Sequence, residues 1–249
     1  MYVFSGIMFT FATCSGIIRC KQHNKPHTIM KRKIWMTALL AMCVITASAQ
    51  WRVGVTGGTD YNVFSMDKQY LTDYQIDGRW GITVGVSGQY DVNSWLGVRA
   101  DLNWTQKNYR KHRAILSQMD YRYQNNYLQL PVMASFSVGG EKLRGFCNLG
   151  VYGGYWLNSH REGSDYNNIG NYTMAFSEKV ELNSDRDQRW DFGFLGGIGL
   201  EYRIAPHWAA QAEVRYYYST VSTTKQYMRV KNYCYNSTTA IQVGAYYIF

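Results

Sequence analysis

The feature that most constrains this chain is an alternation of apolar and polar side chains that recurs through residues 50–249. In Leu96–Trp104, for example, Leu, Val, Ala, Leu and Trp occupy every second position, and Gly, Arg, Asp and Asn lie between them. Because the side chains of a β-strand point alternately to opposite faces, this pattern predicts a strand with one apolar and one polar face. Segments of about ten such residues have the length of a strand that crosses a bilayer. The alternating segments are Trp51–Thr59, Arg79–Tyr90, Leu96–Trp104, Tyr127–Val138, Leu143–Leu157, Asp191–Arg203, Trp208–Tyr217 and Thr239–Phe249.

The connections between these segments alternate in length. The short ones are Asp91–Ser94, Gly139–Lys142 and Ala205–His207, and the long ones are Asp60–Gly78, Thr105–Asn126, Asn158–Arg189 and Ser219–Thr238. A bacterial barrel with both ends in the periplasm has short periplasmic turns and long extracellular loops. A soluble β-sandwich has no reason to sort its connections in this way. The alternation of lengths therefore predicts a barrel in the outer membrane of a Gram-negative bacterium.

Alternation alone does not decide which face of the strands points inward. A soluble barrel of the lipocalin type encloses its apolar face. In this chain the polar face is rich in glycine, as a narrow lumen requires, and the apolar face ends in aromatic residues on both sides, as at the two interfaces of a membrane. These aromatic residues are Trp51, Tyr90, Trp208 and Phe249 on the short-turn side and Trp80, Trp104, Trp190 and Tyr218 on the loop side. The predicted fold is all-β: an eight-stranded antiparallel up-and-down transmembrane β-barrel.

The polar face of the predicted strands carries charges of both signs. They are Arg99, Asp101, Glu201, Arg203, Glu213 and Arg215. Eight strands leave an interior just wide enough for side chains to fill, and an unpaired charge inside it is costly. We therefore predict that these residues pair and close the lumen as a structural network, with a proton or ion pathway as the alternative.

The first 49 residues have the composition of a targeting segment. Met30–Lys33 is positively charged, Ile34–Thr46 is apolar and Ala47–Ala49 is small, which is typical of a secretory signal peptide. We predict an upstream extension over residues 1–29, a signal peptide over 30–49, and a barrel domain over 50–249. Six of the 26 basic residues and no acidic residue precede residue 50, so the formal charge of +9 falls to +3, with 20 basic and 17 acidic residues. The basic balance thus gives no indication of nucleic-acid binding.

The last segment places Val243, Ala245, Tyr247 and Phe249 on one face. It resembles the C-terminal strand that the barrel assembly machinery of the outer membrane recognises, which implies that these residues form an assembly signal. The edge strand of a soluble sandwich is the alternative. In a barrel, this strand is expected to close the ring against Trp51–Thr59.

Tyr127-Leu-Gln-Leu-Pro131, followed by Val-Met-Ala, is the most specific local motif. With the layout of strands and loops, it resembles the PorT-like outer-membrane β-barrel family, and more loosely the OmpA and OmpX barrels. That family often has Glu at the position of Gln129 and Lys at the position of Ser135. The resemblance implies an accessory role in protein secretion across the envelope, with a secretion-system or extracellular protein as partner. Pro131 removes a donor from the strand ladder, so we predict a local bend or bulge there.

The long connections contain two further candidate sites. Lys107, Arg110, Lys111 and Arg113 form a basic run that would meet the phosphates of lipopolysaccharide on an outer surface, with an ordinary solvated loop as the alternative. His112 or His160 with Ser117, Ser159 or Glu162 would be the residues of a lipid hydrolase. Sequence spacing does not supply the geometry for catalysis. We predict a monomeric, non-enzymatic protein without cofactor or metal, which contacts outer-membrane lipids and has a surface-interaction or envelope-stabilising role through its extracellular loops.

Overall fold

The computed structural model describes residues 50–66, 73–113, 118–167, 169–225 and 233–249. The strands are β1 (Gln50–Met66), β2 (Tyr74–Asp91), β3 (Leu96–Gln106), β4 (Tyr109–Arg113), β5 (Asp120–Gly139), β6 (Leu143–Asn167), β7 (Tyr172–Val180), β8 (Trp190–Ala205), β9 (Trp208–Ser219) and β10 (Cys234–Ile248). The predicted upstream extension and signal peptide lie outside the described residues. Within the described ranges, no helix is long and apolar enough to cross a membrane.

Eight of these strands close into an antiparallel ring in the order β1-β2-β3-β5-β6-β8-β9-β10. The ring closes between β10 and β1, where Ile241 lies opposite Thr59 and Tyr247 lies opposite Val53. The predicted fold and the predicted closing pair of strands are therefore confirmed. Closure pairs every ring strand on both sides, which satisfies the backbone groups that lipid cannot satisfy.

The outer face of the ring is apolar. Val55 is 61% exposed and Ile198 is 68% exposed, and aliphatic residues repeat at alternate positions around the whole ring. Trp51 and Trp208 lie exposed near the end with short turns, and Trp80 lies exposed toward the other end. An apolar band between two belts of aromatic side chains matches the core of a bilayer and its two interfaces.

The wall of the barrel continues far beyond the length needed to span a membrane. β6 has 25 residues, which corresponds to roughly 80 Å of extended chain, whereas the apolar band of such barrels is about 25 Å tall. The connections Asp60–Gly78, Thr105–Asn126 and Asn158–Arg189 were predicted as loops, and much of each is strand. β4 continues the wall between β2 and β5, and β7 pairs with the upper part of β6. The extracellular part is therefore largely a β-sheet structure.

The strand ladder around Pro131 is regular on one side and interrupted on the other. Pro131 pairs in regular register with Tyr152, and the register between β5 and β6 shifts between Asn126 and Tyr127. The β3–β5 ladder is interrupted opposite Pro131, between the pairs Ala100–Val132 and Asn103–Gln129, and keeps its register across the gap. The predicted bulge is therefore wrong, and the predicted bend stays a prediction. The shift at Asn126 separates the membrane-spanning part of β5 from its extracellular part.

Candidate functional site

Two pairs of opposite charges meet in the middle of the lumen. Arg99 and Asp101 on β3 lie 2.9 Å apart, and Arg215 and Glu213 on β9 lie 2.7 Å apart. The two strands face each other across the ring, and Arg215 also reaches Asp101 at 2.9 Å while Arg99 reaches Glu213 at 3.3 Å. All four side chains are at most 3% exposed. Four of the six charges predicted to pair thus form one buried, fully crossed network.

A second set of charges lies nearer the short-turn end. Arg52 on β1 contacts Asp91 at 2.5 Å and Glu201 on β8 at 2.6 Å. Gln211 donates to Glu201 at 2.7 Å and also accepts from Arg99 at 3.1 Å, which links the two layers. Glu201 therefore pairs as predicted, with a partner that the sequence analysis did not identify.

Arg203 departs from the predicted network. It is only half-buried near the end of β8, and within the described part of the chain it forms no ion pair. The strand register explains this, because β8 reaches its turn at Ala205 and carries Arg203 past the layer of Glu201.

A third set of polar contacts lies at the opposite end of the lumen. Lys107 contacts Asp191 at 2.5 Å, and both side chains are at most 4% exposed. Ser219 also donates to Asp191, at 2.6 Å, and Thr105 donates to the buried carboxylate of Asp60. These contacts block the lumen directly below its extracellular opening.

The layers leave little room between them. The crevice beside Arg52 and Glu201 has a volume of about 10 Å³, which is about the space of one water molecule. The interior is therefore a packed polar plug among the described residues, with cross-barrel ion pairs in place of a channel.

An open cavity of about 520 Å³ lies above this plug, at the mouth of the barrel, and we call it the mouth cavity. Its walls come from the extracellular parts of β1, β4, β5, β6, β7 and β10 and from the connections that follow β7 and β9. Tyr127 and Asn125 lie at its base: the Tyr127 ring is 5.1 Å from Lys107 Nζ, and Asn125 Nδ2 donates to the Lys107 carbonyl at 3.0 Å. The aromatic side chains that line it are Phe64, Tyr109, Tyr123, Tyr127 and Trp156.

A row of side chains crosses the wall of the mouth cavity from β1 to β7. The rings of Phe64 and Tyr109 stack with centroids 4.4 Å apart, and those of Tyr109 and Tyr123 stack at 4.6 Å. Arg161 lies opposite Tyr123 in the register of β5 and β6, and it forms an ion pair with Glu178 on β7. Burial, followed by the neighbouring Tyr123, raises the pKa of Tyr109 well above its usual value, so its phenol stays neutral.

The charges that line the mouth cavity balance. The three basic residues are Arg161, Lys179 and Arg186, and the three acidic residues are Glu178, Glu181 and Asp187. Arg161 pairs with Glu178, and Arg186 pairs with Asp187 at 2.9 Å. The cavity therefore offers hydrogen-bonding groups of both kinds without a surplus of either charge among these six residues.

A family model of the outer membrane protein β-barrel domain matches residues 36–249. The chain belongs to the outer membrane protein β-barrel domain family. Its ring of paired strands and its apolar exterior agree with that membership, and a protein of this family resides in the bacterial outer membrane. No curated protein sequence matches it significantly.

Several solved structures of outer-membrane proteins are similar to this chain. Neisserial surface protein A (NspA) is 12% identical, with a TM-score of 0.44, over 81% of this chain and 99% of its own. Ail, the attachment invasion locus protein of Yersinia pestis, is 16% identical, with a TM-score of 0.41, over 80% and 98%. The outer membrane protein OprG of Pseudomonas aeruginosa is 12% identical, with a TM-score of 0.44, over 80% and 95%.

Among the described residues, those weighed for catalysis do not form a Ser-His-acid site. Ser159 is 2% exposed and faces the mouth cavity, while His160 follows it in β6 and therefore points to the opposite face. His160 contacts Ser177 at 2.9 Å, and His112 lies 3.3 Å from Asp77. Ser117 lies outside the described residues. Among the residues that are described, no group of three His, Cys, Asp or Glu side chains is close enough to hold a metal ion.

The four residues of the predicted lipopolysaccharide site lie in two different places, one in the barrel interior and three nearer the surface. Lys107 continues the inward, odd-numbered series of β3, so its assignment to a surface contact is wrong. Arg110 is 42% exposed and pairs with Asp120, and Arg113 is 31% exposed and lies 3.6 Å from Asp73. Lys111 lies over the Tyr74 ring at 4.2 Å, and burial lowers its pKa.

The sequence analysis missed several inward residues of the barrel. Arg52 and Asp191 stand on the polar faces of predicted segments, and Asp60 and Lys107 continue that alternation by one or two steps beyond the predicted ends. Extending the period of two would have found them. The predicted C-terminal signal residues Val243, Ala245, Tyr247 and Phe249 all lie exposed on the outer face of the closing strand or at its end, and their role in assembly stays a prediction.

Proposed function

We propose that this protein is a non-enzymatic surface-binding protein of the outer membrane, which holds a ligand in its mouth cavity and transports nothing through its lumen. The observation that carries the proposal is the juxtaposition of an open cavity of about 520 Å³ with a lumen closed immediately below it by Lys107 and Asp191. A cavity of this size lies in the range of about 300–1,000 Å³ that holds small ligands. A ligand that enters the cavity from outside therefore cannot pass into the lumen below it.

Rigidity of the cavity wall supports a binding role. The strands β4, β5 and β6 behind the aromatic row are each paired on both sides, and the part of β1 that carries Phe64 is paired with β10. Side chains on a rigid sheet lose little conformational freedom when a ligand binds. A structural role in the envelope would need the closed barrel but not the cavity.

Two variants of neighbouring residues test this role. Ser159→Trp fills the cavity from its wall, whereas His160→Trp puts the same side chain on the opposite face of β6. Purified protein is applied to arrays of glycans, extracellular proteins and lipopolysaccharides, with heat-modifiable gel mobility as the control for folding. Binding by the wild type and by His160→Trp, lost in Ser159→Trp, supports the proposal. Binding that survives Ser159→Trp, or no binding by the wild type, contradicts it.

Catalysis is the alternative from a different class. His160 with Ser177 is an exposed pair on the outer face of the β6–β7 hairpin, and exposed pairs of this kind lack the buried orienting group of a catalytic triad. Alanine substitution of His160 and of His112 leaves the lipid profile of the membrane unchanged if the protein is not a lipid hydrolase. Loss of a lipid product in either variant would contradict the non-enzymatic proposal.

Two finer proposals concern partners. Lipopolysaccharide phosphates are proposed to contact Arg110, Lys111 and Arg113. These side chains are partly exposed, above the belt of aromatic residues at the outer membrane interface. The likeness of Tyr127–Pro131 to the PorT-like motif supports an accessory role in secretion, and Tyr127 lies at the base of the mouth cavity. In that role, deletion of the gene would block export of secreted proteins, whereas a binding protein leaves export unchanged.

A further inference from the structure

The mouth cavity has an unpartnered acceptor at its base. Asn125 is 4% exposed, its Nδ2 donates to the Lys107 carbonyl, and its Oδ1 has no hydrogen-bond partner in the part of the chain that the structure describes. Because Nδ2 is held in place, the amide cannot turn to exchange its two atoms without losing that bond. The acceptor therefore calls for a donor from whatever occupies the cavity, since a buried acceptor without a hydrogen bond is destabilising.

The charges of the mouth cavity select against a charged ligand. Arg161 is paired with Glu178 and Arg186 with Asp187, and the remaining Lys179 and Glu181 have opposite signs. A strongly anionic or cationic ligand would have to break an existing ion pair to gain a new one. A neutral polar ligand leaves both pairs intact and still finds donors and acceptors on them.

The aromatic side chains add rigid apolar surface next to these polar groups. Phe64, Tyr109 and Tyr123 are nearly parallel, with 11° and 14° between successive rings, and Tyr127 and Trp156 are parallel to within 8°. Within each stack the rings cover one another, and all five aromatic side chains line the cavity. A matching ligand therefore alternates apolar C–H surface with hydroxyl groups over a few ångströms.

From these observations we infer that the mouth cavity binds a short neutral glycan. Pyranose rings carry hydroxyl groups that donate and accept, C–H faces that pack against aromatic surface, and no net charge. The inference rests on the proposed function, because it names the ligand class of the same site. Asn125 Oδ1 accepts from a sugar hydroxyl at the base, and the neutral phenol of Tyr109 donates at the wall.

A peptide fits the cavity less well. Peptides are commonly recognised through backbone hydrogen bonds at the open edge of a sheet. Around the cavity, β4, β5 and β6 are paired on both sides, whereas Val63–Met66 of β1 pairs with β10 alone and β7 has its open edge at the end of the sheet. The groups available inside the cavity are side chains, which suit hydroxyl-rich ligands.

The test uses purified, refolded full-length protein on an array that carries neutral oligosaccharides, sulfated or sialylated oligosaccharides, and peptides. Affinities for the best neutral oligosaccharide are then measured for the wild type, Asn125→Leu and Asn126→Leu. Asn125→Leu keeps the approximate side-chain volume and removes the acceptor. Asn126→Leu is the matched control, because Asn126 points away from the cavity and bonds to Gln106 and Asn158.

The expected result is binding of neutral oligosaccharides, about tenfold weaker in Asn125→Leu, which corresponds to one hydrogen bond, and unchanged in Asn126→Leu. Binding confined to charged glycans or to peptides, and lost in Ser159→Trp, overturns the glycan inference and leaves the proposed function standing. No binding to any class on this array overturns the glycan inference, and the proposed function falls with it if extracellular proteins and lipopolysaccharides also fail to bind. Equal affinity in Asn125→Leu and the wild type overturns the inference as well.

Discussion

Arg215 and Asp101 form an ion pair of 2.9 Å across the full width of the barrel, with both side chains completely shielded from solvent. Their strands, β9 and β3, stand four places apart in a ring of eight, so the pair connects opposite walls. Glu213 and Arg99 complete the crossing. The lumen is closed by contacts between walls that are far apart in sequence, and this closure moves the functional surface to the extracellular mouth.

Removing one member of the crossed network is expected to destabilise the barrel strongly. Arg215→Met leaves the two buried carboxylates of Asp101 and Glu213 with Arg99 as the one remaining cation of the network. The uncompensated buried charge lowers the free energy of unfolding by about 3–5 kcal/mol. The measurement is equilibrium unfolding in urea, with the protein folded in lipid vesicles. Arg203→Met, on the neighbouring strand but outside the network, is the control and changes stability by less than about 1 kcal/mol. Similar values for the two variants would contradict the assignment.

The close approach of β1 and β10 makes Gly58 intolerant of a side chain. A Cβ at Gly58 would overlap the carbonyl oxygen of Ile241 and lie 2.8 Å from the Cα of Gln242. Gly58→Ala is expected to cost about 1–3 kcal/mol and to lower the yield of the heat-modifiable folded form. Gly88→Ala is the matched control on β2, because its Cβ would meet only the Ala100 carbonyl at 3.9 Å. Normal folding of Gly58→Ala would refute the close approach of β1 and β10.

The orientation of the barrel predicts which residues a thiol reagent reaches in intact cells. Lys179 lines the mouth cavity and Glu141 lies in a short turn at the opposite end, and both are exposed. In a background with Cys147→Ala and Cys234→Ala, a membrane-impermeant maleimide is expected to label Lys179→Cys on intact cells. Labelling of Glu141→Cys is expected only after the outer membrane is opened. The reverse labelling pattern would show that the short turns face the cell exterior, which would contradict the orientation described here.

Different positions of the basic run are expected to have different effects. Arg110→Ala with Arg113→Ala reduces binding to lipopolysaccharide, because both side chains are partly exposed. Lys107→Ala leaves lipopolysaccharide binding unchanged and lowers stability, because Asp191 is left buried without its cation. Surface plasmon resonance on captured lipopolysaccharide and urea unfolding measure the two effects. Loss of lipopolysaccharide binding in Lys107→Ala alone would contradict this division.

The fold could be predicted from the sequence because the bilayer imposes the period of two on every membrane-spanning strand. In Leu96–Trp104 the outward residues must be apolar and the inward residues small or polar, so the alternation is strong. Above the membrane both faces of the wall are wet. β7 has exposed residues on both faces. Because neither face has to be apolar, its sequence lacks the alternation of apolar and polar residues that identifies the membrane-spanning strands.

The candidate site was predictable only in part, for a related reason. Arg99 and Asp101 are two residues apart on one strand, so their pairing follows from the sequence. Arg52 and Glu201 are separated by 149 positions, and only the closure of the ring decides that they meet. The mouth cavity likewise assembles from six strands, and its key acceptor, Asn125, has no local signature.

The most direct test of the closed lumen is the conductance of the purified, refolded protein in planar lipid bilayers. The crossed pairs of Arg99, Asp101, Glu213 and Arg215 predict a membrane that stays at its baseline conductance, without stable, stepwise channel openings. Inserted, heat-modifiable protein that produces long-lived openings of uniform size would contradict the account, because ions would then pass through a lumen that these ion pairs are held to close.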